Sequence, residues 1–288
     1  MCGHNLQGSI HAVRASSWDY YEHYRRSILP LPPDKEHEAI AVPEVVFRGS
    51  IGYSFPLYRN LHIELRSGYL YCVLGPNGSG KSTLLKTLSG SIPVFEGSLE
   101  KIPPDSASSY LPPDPPELPG MRGGDAALSF LATNEKRLLY GNWHSEQSLE
   151  RLARYIEEFS SPVDLERNFN ELSTGERMKI LLASALASEA DFLFLDEPSG
   201  HLDVRSRILL YRILKREKGS RLIVLSMHEL SEASSVCDKG ILLGAGNFYG
   251  PSDIGSILNE DLLSLAYGAR FKKVLIDGKP LLVPYDIL

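Results

Sequence analysis

The sequence lacks three features that would place it in a membrane, in an oxidising compartment or on a nucleic acid. No run approaches the ~18 apolar residues that a membrane span requires, and the N-terminus has no apolar core of a secretory signal. Only Cys2, Cys72 and Cys237 occur, without metal-site spacing, which favours a reducing cytosol over a disulfide framework. The formal net charge of −6 gives no electrostatic reason to expect nucleic acid. We therefore expect a cytoplasmic protein that binds no nucleic acid.

The composition is otherwise ordinary for a globular protein, with 43% hydrophobic and 23% charged residues in a chain of 288. Residues 1–42 differ, because Trp18 and three nearby tyrosines are followed by a cluster of prolines. This composition predicts an N-terminal extension: a poorly ordered arm or a short helix followed by an extended linker, or else an arm that packs on its own domain. The sequence does not assign the extension a role.

The most informative stretch reads GPNGSGKST and fits the phosphate-binding pattern G-x-x-x-x-G-K-[ST]. An apolar run at 69–74 precedes it, and leucines at helical spacing follow it, so the order is strand, loop, helix. In such a loop, backbone N–H groups cradle a polyphosphate, while Lys81 reaches the terminal phosphates and Ser82 a Mg²⁺ ion. The predicted nucleotide-binding residues are Gly75, Pro76, Asn77, Gly78, Ser79, Gly80, Lys81, Ser82 and Thr83.

The strands predicted elsewhere favour an α/β fold. Continuously apolar runs at 192–195 and 222–226 are typical of a parallel sheet covered on both faces, and ligands bind at the carboxyl ends of such strands. Alternating residues at 61–65 predict a half-buried strand near the start of the domain. A proline cluster at 112–119 is followed by helical spacing over 125–170, which predicts an inserted helical subdomain at about 113–172.

Four further motifs follow in a fixed order after the phosphate loop. The segment Leu172–Glu176 reads LSTGE, the apolar strand ends in Asp196-Glu197, a short loop ends at Asp203, and a histidine follows at His228. In this order the chain resembles the ABC-type ATPases from about residue 43 to 250. The resemblance implies a P-loop NTPase fold of ABC type, with a mostly parallel sheet, an antiparallel β N-terminal part and the helical insert.

The resemblance also implies the chemistry of the site, with ATP and Mg²⁺ as the bound species. Asp196 would help to hold Mg²⁺, Glu197 would polarise the attacking water, and His228 would contact the γ-phosphate. Tyr53 stands where the family has its adenine-stacking aromatic, with Phe55 as the alternative. Outside this context, a carboxylate at a strand end usually caps a helix, and a lone histidine is usually a satisfied polar residue.

The LSTGE segment implies a dimer. In this family the signature L-S-G-G-Q contacts the γ-phosphate on the opposite subunit, so Ser173, Gly175 and Glu176 would act in trans in a head-to-tail dimer, and Asp203 would belong to the D-loop. Thr174 replaces the first glycine and Glu176 the glutamine. The serine hydroxyl and the second glycine remain, so we expect a competent site.

The C-terminal part, including Leu262–Gly268 and Asp277–Pro284, resembles ATPase subunits of importers of iron-siderophores, haem and cobalamin. This resemblance implies a polytopic permease as partner, a location on the inner face of the cell membrane, and a tail, residues 251–288, packed on the ATPase domain of residues 43–250. Two alternatives remain: a soluble ABC-type ATPase acting on nucleic acid or an assembly complex, and a non-hydrolysing ATP-dependent clamp.

One position departs from the importer pattern. Such ATPases usually carry a glutamine in Y-L-P-Q, whereas this chain reads Tyr110-Leu111-Pro112-Pro113-Asp114. Pro113 has no polar side chain, but the Asp114 carboxylate is a ligand that Mg²⁺ accepts. We therefore predict that Asp114 replaces the glutamine, with a simple turn residue as the alternative.

Overall fold

The structure is a computed structural model, and it describes residues 42–133, 146–159, 165–276 and 279–287. Apart from Val42, the predicted N-terminal extension lies outside the described residues. Eleven strands and eight α-helices are described: β1 Glu44–Gly52, β2 Pro56–Arg66, β3 Leu70–Leu74, α1 Lys81–Ser89, β4 Glu96–Ile102, β5 Ser108–Leu111, α2 Gly123–Thr133, α3 Glu146–Glu158, α4 Thr174–Ala187, β6 Phe192–Leu195, α5 Val204–Glu217, β7 Leu222–Ser226, α6 Leu230–Val236, β8 Lys239–Gly244, β9 Asn247–Asp253, α7 Ile254–Ile257, α8 Glu260–Tyr267, β10 Ala269–Ile276 and β11 Lys279–Ile287.

The described chain forms two compact units. The sheet unit contains Val42–Pro113, Asp191–Gly200 and Tyr211–Leu288, and the helical unit contains Asp114–Ala190 and His201–Leu210. All eleven described strands belong to the sheet unit.

The main sheet of the sheet unit has the strand order β5-β6-β7-β3-β8-β9. The first five strands are parallel, and β9 joins β8 in antiparallel orientation. Every residue of β3, β6 and β7 is buried, as expected for central parallel strands covered on both faces. Because Leu195 pairs with Leu225, the carboxyl ends of β6 and β7 lie side by side, and the residues that follow them meet there.

A second sheet, in the order β2-β1-β4, is antiparallel throughout. Its inward residues include Val45 and Phe47 of β1 and Ile63 and Leu65 of β2, which join the core formed by β3 and α1. The predicted mostly parallel core with an antiparallel N-terminal part is thus confirmed. In the C-terminal part of the chain, β10 and β11 form a two-stranded antiparallel ribbon.

In the helical unit, α2 and α3 both pack on α4. The buried residues Leu152 and Tyr155 lie three apart on α3, and Phe159 follows the helix, as the helical spacing in the sequence predicted. In the described part of the chain, no helix has both the length and the apolar character needed to cross a membrane.

Candidate functional site

The phosphate loop connects β3 to α1, which begins at Lys81. Gly75 has φ +146°, and a Cβ atom there would lie 2.2 Å from the Leu243 carbonyl oxygen, so no other residue fits without displacing β8. The Ser79 Oγ is buried and has no hydrogen-bond partner among the described residues. A buried hydroxyl without a partner costs free energy, which a bound anion would recover.

Lys81 carries the positive charge of the loop. Its side chain is almost fully buried, and its Nζ donates to the carbonyl oxygens of Gly75 at 2.9 Å and Pro76 at 3.1 Å. Burial lowers the pKa of Lys81, while the charges of Glu197 and Asp196 act in the opposite direction. An anionic phosphate would therefore meet an ammonium group that is already desolvated.

Two tyrosines outside the phosphate loop form hydrogen bonds with its backbone. The Tyr58 hydroxyl donates to the Ser79 carbonyl oxygen at 2.9 Å, and the Gly75 N–H donates to the Tyr267 hydroxyl at 3.1 Å. Burial raises the pKa of Tyr267 to about 12, so the phenol stays protonated at neutral pH. Tyr267 ends α8, so the C-terminal tail contacts the first residue of the phosphate loop.

The aromatic residues expected to stack on adenine lie in the turn between β1 and β2. Tyr53 is 59% exposed and Phe55 is 66% exposed, in the same unit as the phosphate loop. Both rings are therefore accessible to a planar ligand, and the structure gives no preference between them.

Glu197 and His228 meet at the ends of adjacent strands. The His228 Nε2 lies 2.6 Å from the Glu197 Oε1, and both side chains are partly exposed. Glu197 has φ +49°, a left-handed conformation that costs a residue with a side chain about 1–3 kcal/mol. Strain of this kind is often found at functional sites, where the surrounding structure enforces it.

Asp196 is fully buried next to this pair. Its Oδ2 accepts from the Tyr110 hydroxyl at 3.0 Å, and its Oδ1 accepts from the Ser226 hydroxyl at 2.6 Å. An ionised carboxylate has about four lone-pair positions, so two remain for another donor or a metal.

The oxygen atoms of this site suit Mg²⁺, which prefers carboxylate and hydroxyl oxygens together with phosphate and water. Asp196 and Ser82 provide such oxygens. Within the described ranges, no three His, Cys, Asp or Glu side chains are clustered so that they could hold a metal by themselves. The residues present therefore fit a Mg²⁺ ion that takes most of its ligands from a nucleotide and from water, rather than a structural metal centre.

The LSTGE segment forms the N-terminus of α4 in the helical unit. Ser173 is the N-cap, and its side chain and that of Glu176 form a reciprocal capping box. The Glu176 Oε2 accepts from the Ser173 N–H at 2.9 Å and from its hydroxyl at 2.7 Å. These hydrogen bonds lower the pKa of Glu176. At Gly175, a Cβ atom would lie 2.9 Å from the His201 carbonyl oxygen, which explains the glycine.

Asp203 directly precedes α5, and its carboxylate accepts hydrogen bonds from two neighbours. It accepts from the Ser206 N–H at 2.9 Å, which caps the helix, and from the Lys179 Nζ of α4 at 2.9 Å. The hydrogen bond from the Ser206 N–H, and to a lesser extent that from Lys179, holds the pKa of Asp203 well below its usual range. Asp203 therefore joins the helix that carries the LSTGE segment to the start of α5.

Asp114 is engaged by a residue that the sequence analysis did not consider. Its Oδ1 lies 2.9 Å from the Nε2 of His201, in the same unit, while its side chain remains 81% exposed. One carboxylate oxygen is thus already in contact with an imidazole. The prediction that Asp114 is a metal ligand stays a prediction.

Removing the charge of Asp203 tests its role in stability. We expect Asp203→Asn to lower the free energy of unfolding by about 1 kcal/mol at pH 7, because Lys179 loses its anion while the capping oxygen stays. Since the pKa of Asp203 is depressed in the folded state, its contribution is complete above about pH 4 and is lost as pH falls further. Urea unfolding at several pH values should show the gap between parent and variant narrowing below about pH 4.

Asp105→Asn, at an exposed turn position outside the helices, is the matched control and should change stability by less than about 0.5 kcal/mol. A gap for Asp203→Asn that stays constant down to pH 3 would show that the charge of Asp203 contributes nothing.

Sequence reasoning missed Tyr110, Ser226, His201 and Tyr267. Tyrosine, serine and histidine are common residues, and the segments that carry the family resemblance assigned none of the four a role. The only signal was position, because Ser226 ends an apolar run that was predicted to form a parallel strand, and ligands bind at the carboxyl ends of such strands.

Comparisons with known proteins identify the family and the fold. The family model described as ABC transporter matches residues 58–200. An uncharacterized ABC transporter ATP-binding protein of Methanocaldococcus jannaschii is 31% identical over 216 residues, 67% of this chain and 70% of that protein. A hemin import ATP-binding protein of Streptomyces coelicolor is 28% identical over 246 residues, 83% of this chain and 87% of that protein. A solved ABC transporter assigned to the metal-chelate type, in an inward-facing conformation, matches with a TM-score of 0.69 and 22% identity, over 85% of this chain and 98% of that one, which shows the same fold.

Proposed function

Because the chain belongs to the ATP-binding proteins of ABC transporters, a family of ATPases, we propose which of its residues bind and hydrolyse ATP and what this hydrolysis drives. ATP binds with its phosphates on the loop Gly75–Thr83, and Lys81 pairs with the terminal phosphates. Tyr53, or Phe55 in its place, stacks on the adenine. The burial of Lys81 and the unpaired hydroxyl of Ser79 support this assignment.

The 2.6 Å contact between Glu197 and His228 is the observation that carries the catalytic proposal. Glu197 accepts a proton from the attacking water, and His228 donates a hydrogen bond to the γ-phosphate and keeps the water in line. A non-hydrolysing clamp would need neither side chain, so their contact favours hydrolysis.

Ser82 and Asp196 would hold Mg²⁺ at this site. The ion, when bound, neutralises charge on the β- and γ-phosphates. Asp114 would contribute a carboxylate oxygen to the ion in place of the missing glutamine.

A second copy of the chain completes each site. Ser173 and Gly175 lie at the N-terminus of a 14-residue helix, where N–H groups and the helix dipole favour an anion. We assign this end to the γ-phosphate bound on the opposite copy, so that two chains bind two ATP molecules head to tail, with Asp203 in the loop between them.

The cargo class rests on the C-terminal resemblance and on the hemin import protein of Streptomyces coelicolor. The chain would drive import of an iron-siderophore, haem or cobalamin type of substrate through a polytopic permease, from the cytoplasmic face of the membrane.

Co-expression with such a permease tests this assignment. We expect a stable complex in detergent whose ATPase activity responds to the permease, and a chain that neither binds a permease nor changes its activity would contradict it.

The contact between Asp114 and His201 leads to a separate prediction. Asp114→Ala should lower ATP hydrolysis by about fivefold, which corresponds to about 1 kcal/mol, without abolishing ATP binding, whereas Asp114→Asn should retain most of the rate. His201→Ala should lower the rate similarly if the imidazole holds Asp114 in position. Steady-state hydrolysis and nucleotide binding of the three variants measure this effect.

The double variant Asp114→Ala with His201→Ala separates the alternatives. A rate equal to that of either single variant shows that the two residues act as a pair. Parental hydrolysis and transport rates in Asp114→Ala would show that Asp114 is a turn residue without a role in the site.

A further inference from the structure

Asp196 is held from both sides of its strand. It follows β6, and the two neighbouring strands supply one hydroxyl each: Tyr110 from β5 and Ser226 from β7. Asp196 is fully buried, so water cannot solvate its carboxylate. Hydrogen bonds from the protein must then stabilise the charge, and those to an ionised group are about twice as strong as neutral ones.

Ser226 makes a second contact that reaches the catalytic residue. Its Oγ accepts from the backbone N–H of Glu197 at 2.8 Å while it donates to Asp196. That N–H belongs to the residue with the left-handed backbone, φ +49°. The hydrogen bond therefore helps to keep Glu197 in a conformation that is unfavourable by itself, and this conformation brings its carboxylate to His228.

We propose that Tyr110 and Ser226 form a hydroxyl clamp that positions the two carboxylates of the ATPase site. Tyr110 fixes the Asp196 carboxylate so that its remaining lone pairs are available to the metal, and Ser226 fixes the backbone of Glu197. Both hydroxyls contact the carboxylate of Asp196 or the backbone of Glu197 and act through these residues, so both are positioning residues. The proposal rests on the proposed function of Asp196 and Glu197.

The chemistry of the Tyr110 side chain fits this role. Its phenol O–H donates to the Asp196 Oδ2 at 3.0 Å, and a carboxylate oxygen is an acceptor. The benzene ring would pack equally well in phenylalanine. What tyrosine adds at this half-buried position is the hydroxyl.

Tyr110→Phe tests the first half of the clamp. Loss of one hydrogen bond to a charged group should raise the Mg²⁺ concentration for half-maximal ATP hydrolysis by roughly tenfold. Binding of a fluorescent ATP analogue in EDTA should change by less than about twofold, because Asp196 acts on the metal and not on the phosphates directly. A merely structural role would change both measurements or neither.

Tyr71→Phe is the matched control. The Tyr71 hydroxyl, in the same unit, accepts from the Arg66 N–H at 3.1 Å, so its loss removes a phenol hydrogen bond that does not involve the Asp196 carboxylate. We expect an unchanged Mg²⁺ dependence in this variant. An equal shift in Tyr110→Phe and Tyr71→Phe, or no shift in either, would overturn the role of Tyr110.

Ser226→Ala tests the second half. It should lower kcat roughly 10- to 100-fold at saturating Mg²⁺ and ATP, and Ser226→Thr, which keeps the hydroxyl, should restore most of the rate. If Ser226→Ala does not fold, two comparisons with the parent still test the proposal. The kcat of Ser226→Thr tests whether a hydroxyl at position 226 is sufficient, and the Mg²⁺ dependence of Tyr110→Phe tests the other hydroxyl. A normal kcat in folded Ser226→Ala would contradict the proposal.

A measurement without turnover keeps this proposal separate from the proposed function. Mn²⁺ affinity, measured by electron paramagnetic resonance in the presence of a non-hydrolysable ATP analogue, should fall by roughly tenfold in Tyr110→Phe and stay unchanged in Tyr71→Phe. A parent chain that binds Mn²⁺ and the analogue without hydrolysing ATP would refute the proposed catalysis. Equal Mn²⁺ affinity in parent and Tyr110→Phe would refute the clamp, whatever the rate of hydrolysis.

Discussion

Glu197→Gln should lower steady-state ATP hydrolysis by about 100- to 1,000-fold while Mg·ATP still binds. Glutamine has nearly the same shape as glutamate and can still contact His228, but its amide cannot accept the proton of the attacking water. General-base catalysis contributes about 10²–10⁴ to a rate, which sets the size of the expected loss. Phosphate release at saturating Mg·ATP, together with equilibrium binding of ATP, measures the two effects.

Two variants make this result specific. Lys81→Ala should weaken ATP binding itself, because the ammonium that meets the terminal phosphates is removed. Glu157→Gln, at an exposed position of α3, should leave binding and hydrolysis at parental values. Parental hydrolysis in Glu197→Gln would show that another group activates the water.

Mixing two inactive variants should restore part of the activity. Each proposed site takes its phosphate loop from one copy and its LSTGE segment from the other, so Ser173→Arg and Lys81→Ala each disable both sites of a homodimer. A mixed dimer has one site without either change and one site with both. At equal concentrations half of the dimers are mixed, so we expect hydrolysis to recover to at most about a quarter of the parental rate.

The stoichiometry of the mixture provides the control. Recovery should be largest at equal concentrations and should disappear at either extreme. If no ratio exceeds the sum of the separate rates, although both variants are folded and form mixed dimers, then Ser173 does not act on the partner's nucleotide.

The sequence predicted the phosphate loop and its neighbouring elements well, because this motif is local. The strand before Gly75, the loop and the helix after it are consecutive in sequence, so a short segment contains all the residues that specify them. The apolar strands of the main sheet were equally clear, since burial on both faces leaves a continuous apolar run at 192–195 and 222–226.

The contacts around Asp196 could not be predicted in this way. Tyr110 is 86 residues from Asp196 in sequence, and Ser226 is 30 residues away. Their meeting depends on the strand order β5-β6-β7, which the sequence does not specify. A hydroxyl at a strand end is also too common to indicate its partner.

The neighbour of Asp114 could not be predicted for the same reason, because it is distant in sequence. The sequence identified a carboxylate where the family has an amide, and chemistry favoured a metal. It could not identify His201, 87 residues away, as the neighbour of that carboxylate. A family resemblance assigns a role to a residue that matches the family's motif. Where a residue differs from the motif, the side chains that it contacts can be identified only from the fold.

Sedimentation velocity of Glu197→Gln, with and without Mg·ATP, tests most directly the claim that two copies of this chain share two ATP molecules. We predict a monomer without nucleotide or with Mg·ADP, and a dimer with Mg·ATP that is lost when Lys81→Ala is added to the same chain. A Glu197→Gln chain that binds Mg·ATP and remains monomeric at every concentration tested would contradict this account.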